Sequence, residues 1–236
     1  MRSGPQCNLC GSRKFKSIPN RPTALRCTQC GSMPRTRMLG LTITRAAPLT
    51  SLPVVHFAPE RGLSPVLQSR YGALWTPTDI DPDRYRKDWI DRPVQFADLS
   101  EASRYFQPYS TGGFVHSHVL EHVPAPIEDI LSAMNRSVAP GGFHAFVVPI
   151  RTDYFEEDMD LTKPDSYRLE RFGHVGHVRN FGRLDFEKRV LSHFKDWHQI
   201  PINEIASEAE LDQSAIPAKH VFNRYSGSTA FIFVKK

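Results

Sequence analysis

Four cysteines near the start of the chain have the spacing of a metal site. Cys7 and Cys10 form one C-x-x-C pair, Cys27 and Cys30 form a second, and sixteen residues separate the pairs. Two tight turns at this spacing present four thiolates to one tetrahedral ion, so the pattern predicts a structural zinc site. The prediction is specific because the chain contains no other cysteine.

A glycine directly follows each cysteine pair, at Gly11 and Gly31. A knuckle turn needs a residue that tolerates positive φ at this point, which favours glycine. The alternatives to zinc are two disulfides or four unrelated thiols, but nothing else in the chain indicates an oxidising compartment.

Acidic side chains follow three predicted strands, where open α/β sheets bind their ligands. Glu60 lies in the loop 58–62 after the first strand, Asp79 and Asp81 end the second, and Asp98 ends the third. A carboxylate at the end of the second strand can accept hydrogen bonds from ribose hydroxyls, and one at the end of the third strand can accept a hydrogen bond from an adenine amino group. Each acid alone could equally be a helix cap or a turn former. The first loop lacks the G-x-G-x-x-G fingerprint, which argues against NAD or FAD.

Strands and helices are predicted to alternate from residue 53 onward. The predicted strands cover residues 53–58, 74–80, 94–98, 113–119 and 143–148. A helix over 126–138 has one apolar face, and Pro-Gly-Gly stops it; a further helix is expected at 184–194. The alternation implies an α/β fold whose parallel sheet is covered on both faces. Segments near 197–205 and 229–234 are expected to add an antiparallel pair at the sheet edge.

Three parts are therefore expected along the chain. Residues 1–34 form a zinc ribbon, residues 35–52 a linker whose helix covers 35–46, and residues 53–236 the α/β domain. Within that domain, residues 150–182 are a polar insertion that is too long for an ordinary loop, and such segments are usually functional.

Several motifs occur together in this order. The ribbon ends in C-x-x-C-G-S-x-x-R-x-R at 27–37, the first loop reads H-x-A-P-E at 56–60, and the insertion contains F-G-x-x-x-H-V-R-x-F-G at 172–182. With Leu-Glu-His at 120–122, the set resembles a bacterial zinc-ribbon branch of the class I S-adenosylmethionine (SAM)-dependent methyltransferases. The resemblance covers about residues 7–195. It implies a Rossmann-like sheet of seven strands, the last one antiparallel, and SAM lying over the first loop.

By position, the resemblance implies eight residues that contact the methyl donor: Ala58, Glu60, Gly62, Asp79, Asp81, Asp98, Ser117 and His118. The first three would line the methionine side. Asp79 would hold the ribose, with Asp81 as a substitute, and Asp98 would face the adenine. Ser117 and His118 would flank the sulfonium. Pro-Glu-Arg at 59–61 replaces the acidic-Gly-x-Gly loop of most of the superfamily, so the donor carboxylate is expected to bind differently here.

Methyl transfer needs an aligned nucleophile and often a base, and histidine is the natural base near neutral pH. His118 and His122 lie at the end of the fourth predicted strand, and His174 and His177 lie in the insertion. His122 or His177 is expected to act as the base or to orient the substrate. Arg179 is expected to bind an anionic or carbonyl group of the substrate.

Other roles stay open for these residues. His118 and His122 could be packing histidines, or could bind a second metal together with a nearby acid. The insertion could instead be a structural lid network in which Arg179 pairs with Glu156 or Glu157.

Length and composition fit one full-sized domain with a small appendage. The 236 residues are 40% hydrophobic, which is enough for a core. No N-terminal apolar stretch predicts a signal peptide, and the longest apolar run, 143–150, is too short to span a bilayer. A soluble, cytoplasmic protein without a membrane partner is expected.

Positive charge is concentrated in the first 59 residues, which contain nine Arg or Lys and no Asp or Glu. The rest of the chain has 21 basic and 25 acidic residues. Such asymmetry can mark a surface for a polyanion. The first functional hypothesis is a SAM-dependent methyltransferase acting on a small-molecule or glycan-type acceptor. The alternatives are an RNA methyltransferase that docks nucleic acid through the basic ribbon, and a non-catalytic zinc-ribbon binding protein.

Overall fold

The cysteines lie on a two-stranded hairpin at the start of the chain. A computed structural model describes residues 4–18, 21–85, 90–222 and 225–236. In the hairpin, β1 (Phe15–Ile18) pairs antiparallel with β2 (Arg21–Cys27). Gly11 and Gly31 have φ values of +72° and +75°, and each donates its N–H to the carbonyl of the first cysteine of its pair. The knuckle geometry expected at both glycines is therefore present.

The remaining strands among the described residues are, in chain order, β3 (Val54–Phe57), β4 (Trp75–Asp79), β5 (Gln95–Phe96), β6 (Thr111–Ser117), β7 (Val138–Val147), β8 (Ile150–Thr152), β9 (Glu156–Glu157), β10 (Arg179–Gly182), β11 (Trp197–Gln199) and β12 (Phe231–Lys235). Seven of them form the main sheet, in the spatial order β11-β12-β7-β6-β3-β4-β5. Every pair is parallel except the two made by β12. This is the seven-stranded sheet with a reversed last strand that the sequence resemblance implies.

The helices of the same residues are α1 (Pro34–Ala46), α2 (Ser64–Tyr71), α3 (Ala102–Tyr105), α4 (Ile127–Ser137), α5 (Asp165–Phe172), α6 (Phe186–Arg189), α7 (Ile202–Ile205), α8 (Glu208–Gln213) and α9 (Lys219–Phe222). Among them, none has both the length and the apolar character required to cross a bilayer. α1 and α4 match the predicted helices closely. β7 begins directly after α4, before the Pro-Gly-Gly, because Val138 already pairs with Thr111.

The third predicted strand, 94–98, is reduced to Gln95–Phe96, and two further predicted elements differ from the structure. The helix expected at 184–194 is interrupted, because the backbone of the buried Val190 leaves the helical region (φ −122°, ψ −56°). α6 therefore ends at Arg189, and a separate 3-10 turn covers Leu191–Phe194. In the expected edge pair, β11 and β12 do pair antiparallel, but the chain after β11 turns into α7 instead of continuing as a strand.

Each face of the main sheet carries its own apolar core. Side chains alternate along β3, so that Val55 and Phe57 pack with the buried face of α4, while Val54 packs on the other side with α1 and α2. The alternation follows from the two-residue period of a strand. Burial on both faces agrees with the predicted parallel sheet and leaves the carboxyl ends of the strands as the free edge.

The insertion folds into a small sheet of its own. β10 lies between β8, which is parallel to it, and β9, which is antiparallel. α5 packs beside this sheet, and Phe172, Val178 and Phe181 are buried. These few apolar anchors, spaced irregularly among polar residues, explain why the sequence pattern indicated only a polar insertion.

One buried arginine fastens the ribbon to the distant end of the chain. Arg37 is fully buried, and it donates to the carbonyls of Ser32 (2.7 Å) and Leu25 (2.8 Å) in the ribbon. It also donates to the carbonyls of Ser214 (2.8 Å) and Ala215 (2.6 Å) after α8. A buried guanidinium is tolerated only when its donors are satisfied, so these four bonds hold the two segments together.

We predict that Arg37→Leu lowers the free energy of unfolding by about 3 kcal/mol or more, because it removes the four hydrogen bonds that the guanidinium donates to backbone carbonyls. Urea denaturation in the presence of zinc measures the change. The matched control is Arg13→Leu, at an exposed ribbon position, which should alter stability by less than about 0.5 kcal/mol. Equal stability of the two variants would show that Arg37 does not fasten the ribbon.

Candidate functional site

The four cysteine sulfurs form a cluster that fits a tetrahedral zinc ion. All four Sγ atoms lie within 4.8 Å of one another, with Cys7 and Cys30 3.7 Å apart and Cys10 and Cys27 3.6 Å apart. Four thiolates at about 2.3 Å from one ion stand about 3.8 Å from each other. The cysteines are free thiols, which excludes the two-disulfide alternative in this structure.

The first loop of the α/β domain packs directly on the ribbon. A Cβ atom at Gly62 would lie 3.1 Å from Ser32 Cβ and 3.4 Å from Cys30 Sγ, so a glycine is favoured at this contact. Glu60 Oε1 accepts a hydrogen bond of 2.8 Å from the Thr36 hydroxyl on α1. Gly62, which was expected on the methionine side of a donor, therefore lies against the ribbon, and the ribbon helps to fix the loop that carries Glu60.

The chain leaves the neighbouring strands β3 and β6 through two constrained residues. Ala58 has φ +48° and His118 has φ +56°. Positive φ is uncommon for residues other than glycine and is found most often at functional sites. These residues mark the point where the strand order reverses, which is where ligands bind in open α/β sheets.

A cavity of about 360 Å³ opens at these strand ends, and we call it the strand-end cavity. Its wall comes from residues that follow the carboxyl ends of β3 to β6: Phe57, Ala58, Asp79, Ile80, Arg84, Ala97, Asp98, Leu99, His118, Val119, His122, Val123 and Pro124. Four of the eight expected donor residues are among them.

The two acids in this wall also bond to nearby groups of the chain. Asp79 Oδ2 accepts the Tyr85 hydroxyl at 2.5 Å, and its Oδ1 accepts the Asp81 N–H at 2.9 Å. Asp81 is exposed and lies outside the wall, so it cannot replace Asp79 there without a rearrangement. Asp98 Oδ1 accepts the Ser100 N–H at 2.8 Å, as a cap of the following turn.

A second cavity, of about 460 Å³, adjoins the first, and we call it the histidine cavity. Its wall combines the first loop, α1, the end of β6 and the insertion: Arg35, Ala58, Glu60, Arg84, Ser117, His118, Glu121, His122, Arg151, Gly173, His174 and His177. Four residues, Ala58, Arg84, His118 and His122, line both cavities. The two cavities are therefore two halves of one cleft.

Two oppositely charged side chains in the histidine cavity have unpaired polar atoms. Among the described residues, Glu60 Oε2 and Arg35 Nε are buried there without a hydrogen-bond partner. Burial raises the pKa of Glu60, while the Arg35 charge and the Thr36 hydroxyl act in the opposite direction. Each unpaired buried group costs about 1–3 kcal/mol, so a cluster of them indicates a polar ligand. A ligand with both an ammonium and a carboxylate group would satisfy Glu60 and Arg35.

Two histidines of the insertion, His174 and His177, lie in the wall of the histidine cavity. Gly173 ends α5 in the left-handed conformation (φ +72°) and donates its N–H to the Leu169 carbonyl, after which the chain turns through His174 to His177. The ring centroids of His122 and His177 lie 4.6 Å apart, and those of His174 and His177 lie 4.7 Å apart. Burial lowers the pKa of His177 to about 4 and also lowers the pKa of His122, so both are neutral at neutral pH.

Arg179 has a structural position that differs from its expected role. Its guanidinium is fully buried, bonds to the carbonyls of Leu120 and Ala125, and pairs with Glu157 Oε2 at 3.1 Å. Arg179 does not line either cavity. Its pairing with Glu157 corresponds to the alternative prediction of a structural network, rather than to the predicted contact with substrate. Its function here is to hold the 120–125 segment against β10, which places His122 beside His177.

His118 is held by a buried acid. Its Nδ1 lies 3.2 Å from Glu121 Oε1, and its Nε2 lies 3.2 Å from the Gly227 carbonyl oxygen. Burial favours the protonated form of Glu121, but the hydrogen bond and charge of His118 outweigh it and lower the pKa of Glu121. The carboxylate of Glu121 therefore lies beside Ser117 and His118 in the wall of the histidine cavity.

Several residues of this wall were not predicted from the sequence. Arg35 is the first arginine of the R-x-R in the ribbon motif, and Glu121 lies in the Leu-Glu-His motif, so both were visible as motif positions. Ile80 lies between the two acids after β4 and remains 58% exposed although it is apolar. An exposed isoleucine in a cavity wall suits the face of a ligand ring.

Comparison with known proteins supports the fold. No protein-family model and no curated protein sequence matches the chain. The structure is similar to that of a SAM-dependent methyltransferase from Archaeoglobus fulgidus, with a TM-score of 0.50 and 15% identity over 85% of this chain and 92% of that one. A SAM-dependent methyltransferase from Mesorhizobium loti aligns with a TM-score of 0.48 and 14% identity over 78% and 90% of the two chains. The chain thus has the fold of class I methyltransferases, with a four-cysteine ribbon added at its N-terminus.

Proposed function

We propose that this chain is a SAM-dependent methyltransferase whose methyl donor spans the two cavities. The observation that carries the proposal is the row of polar groups along the strand ends. Asp79 and Asp98 lie in the strand-end cavity, and Glu60 and Arg35, each with one buried polar atom that has no partner, lie in the adjoining one. This row matches a nucleoside joined to an amino acid, and it lies at the reversal of strand order in a methyltransferase fold.

The strand-end cavity suits the adenosine half. Asp79 would accept the ribose hydroxyls, exchanging its bond to Tyr85 for them. Asp98 would face the adenine amino group, and Ile80 and Leu99 would pack on the adenine ring. An apolar wall with a few oriented polar groups is typical of a small-molecule site.

The amino-acid half of the donor would lie between the first loop and the ribbon. Glu60 would bind the ammonium group and Arg35 the carboxylate, because these oppositely charged side chains face the same space. This assignment explains how a Pro-Glu-Arg loop can replace the acidic-Gly-x-Gly loop. It also makes α1, which follows the zinc ribbon, part of the donor site.

The acceptor would enter the histidine cavity. In the reaction, a bond forms between the acceptor's nucleophilic atom and the methyl carbon, the methyl–sulfur bond breaks with its electron pair staying on sulfur, and the nucleophile loses its proton. His122 and His177 are neutral and face this space, so they can orient the acceptor or take that proton. The polar lining and the limited volume favour a small polar or glycan-type acceptor.

We predict that Asp79→Ala weakens binding of S-adenosylhomocysteine more than tenfold, because two hydrogen bonds to a charged acceptor are lost. Calorimetric titration measures the affinity, and thermal unfolding checks that the variant is folded. The control is Asp81→Ala, which changes the neighbouring exposed acid and should leave the affinity almost unchanged. Wild-type protein that binds neither SAM nor S-adenosylhomocysteine would refute the proposed function, whereas an unaffected Asp79 variant would refute only the ribose assignment.

We also predict that Arg35→Gln lowers the affinity for S-adenosylhomocysteine about tenfold or more but leaves the affinity for 5′-methylthioadenosine unchanged. The second ligand has the same nucleoside and lacks the amino-acid group that Arg35 would bind. The control is Arg61→Gln, an exposed arginine beside Glu60, which should affect neither ligand. Equal weakening of both ligands in the Arg35 variant would assign it a structural role instead.

One observation favours RNA as a second candidate acceptor. Lys16 and Arg26 are directly opposed in the register of β1 and β2, and both are exposed, as are Arg13 and Lys14. Like charges held together in this way suit a phosphate backbone. Against it, Arg37 is buried and Arg45 pairs with Glu210, so part of the N-terminal charge is already neutralised within the fold.

The RNA alternative predicts that affinity for a single-stranded RNA falls steeply as salt rises, with a smaller slope for a Lys16→Ala/Arg26→Ala variant. Fluorescence anisotropy across a salt series measures both slopes. Binding that is absent, or equally salt-dependent in the two proteins, would leave the small-molecule acceptor as the proposal.

A further inference from the structure

A second cluster of metal-binding side chains lies in the wall of the histidine cavity. One ring nitrogen from each of His122, His174 and His177 lies within 4.8 Å of the others. The cluster is separate from the four cysteines and contains only nitrogen ligands. It differs from the histidine-and-acid set considered from the sequence, since His174 and His177 join His122 in place of His118.

A backbone carbonyl orients the first of the three rings, and packing holds the second. His122 donates from Nδ1 to the Gly176 carbonyl at 2.9 Å, and His177 is buried in contact with the rings of His122 and His174. A neutral imidazole that donates through one nitrogen presents a lone pair on the other. Metal-binding histidines in proteins are usually fixed by such a bond, which sets the tautomer and the direction of the ring.

The third ring is the adjustable one. His174 is exposed, and its Nδ1 accepts the Gly176 N–H at 3.0 Å. To bind a metal through that nitrogen, His174 must give up this single bond, which a solvent-facing ring can do at little cost. His122 and His177 would then form the fixed part of the site and His174 the part that closes on the ion.

The surroundings are compatible with a cation. The buried carboxylate of Glu121 acts electrostatically on both His122 and His177. Glu60 lies across the same cavity and offsets part of the charge of Arg35, Arg84 and Arg151. Arg179 anchors the 120–125 segment from behind, so the positions of His122 and His177 are held by the fold rather than by an ion.

We propose that His122, His174 and His177 bind one divalent transition-metal ion, for which Zn²⁺ is the first candidate. Three imidazoles suit zinc and its neighbours, and three protein ligands with an open position are typical of catalytic rather than structural zinc. The open position would face the histidine cavity.

This site would deepen the proposed function, and only this consequence rests on that function. A hydroxyl oxygen of the acceptor would bind at the open position, and the ion would lower the pKa of that hydroxyl. The lone pairs of His122 and His177 would then be used for coordination, so the hydroxyl proton would pass to solvent rather than to a histidine base.

The test is the metal content of the purified full-length protein after equilibration with Zn²⁺ and removal of the free ion, measured by plasma mass spectrometry. We expect two zinc ions per chain, one for each cluster, and one per chain for His174→Ala. His174 is chosen because it is exposed, so its removal disturbs little packing. The control is His198→Ala, an exposed histidine on β11, which should retain two.

One zinc ion per wild-type chain, or two in the His174 variant, would overturn the proposal. A loss in the His198 variant equal to that in the His174 variant would overturn it as well. The measurement needs neither donor nor acceptor, so it stands or fails separately from the donor titrations. Circular dichroism of the His174 variant, together with its one remaining ion, confirms that the ribbon and the fold are intact.

Discussion

The parallel pairing of β3 with β6 is the constraint on which the cleft depends. Within the sheet, β4 and β5 lie on one side of β3, and the chain then returns to place β6 on the other side of β3. The loops that leave β3 and β6 must therefore diverge, and the gap between them is the crevice in which open α/β sheets bind ligands. The positive φ values of Ala58 and His118 show the backbone bending sharply at the two edges of that gap.

Two buried arginines attach the additional parts of the chain to this framework by the same chemistry. Arg37 binds carbonyls of the ribbon and of the segment after α8, and Arg179 binds carbonyls of the 120–125 segment from within the insertion. A buried guanidinium is costly unless all its donors are used, so each arginine fixes the relative position of the segments it joins. Each attachment also brings a functional side chain to the cleft: Arg35 through α1, and His177 beside His122.

Acidic and basic side chains in the cleft contact one another in pairs, with neutral imidazoles beside them. Arg35 faces Glu60 at the ribbon side, and His118 contacts Glu121 at the end of β6. Burial keeps His122 and His177 uncharged, so their lone pairs remain available. The unpaired atoms Glu60 Oε2 and Arg35 Nε have lost contact with water without gaining a partner, which is a cost that a charged ligand can offset. The cleft is therefore better suited to a zwitterionic ligand than to an apolar one.

The sequence by itself determined the features that depend on local spacing. Two C-x-x-C pairs predicted the cysteine cluster, alternating apolar segments predicted the parallel sheet, and acids after β4 and β5 indicated the cleft, while the reversed last strand was implied by the family resemblance. Only the tertiary structure decided that Gly62 contacts the ribbon, that Asp81 lies outside the wall, that Arg179 is buried against the 120–125 segment, and that His122 meets His174 and His177. These outcomes depend on contacts between segments that are far apart in the chain, such as His122 with Gly176. Hydrophobic period and residue type describe a segment and its own neighbours, but they do not specify which face of a distant segment will pack against it.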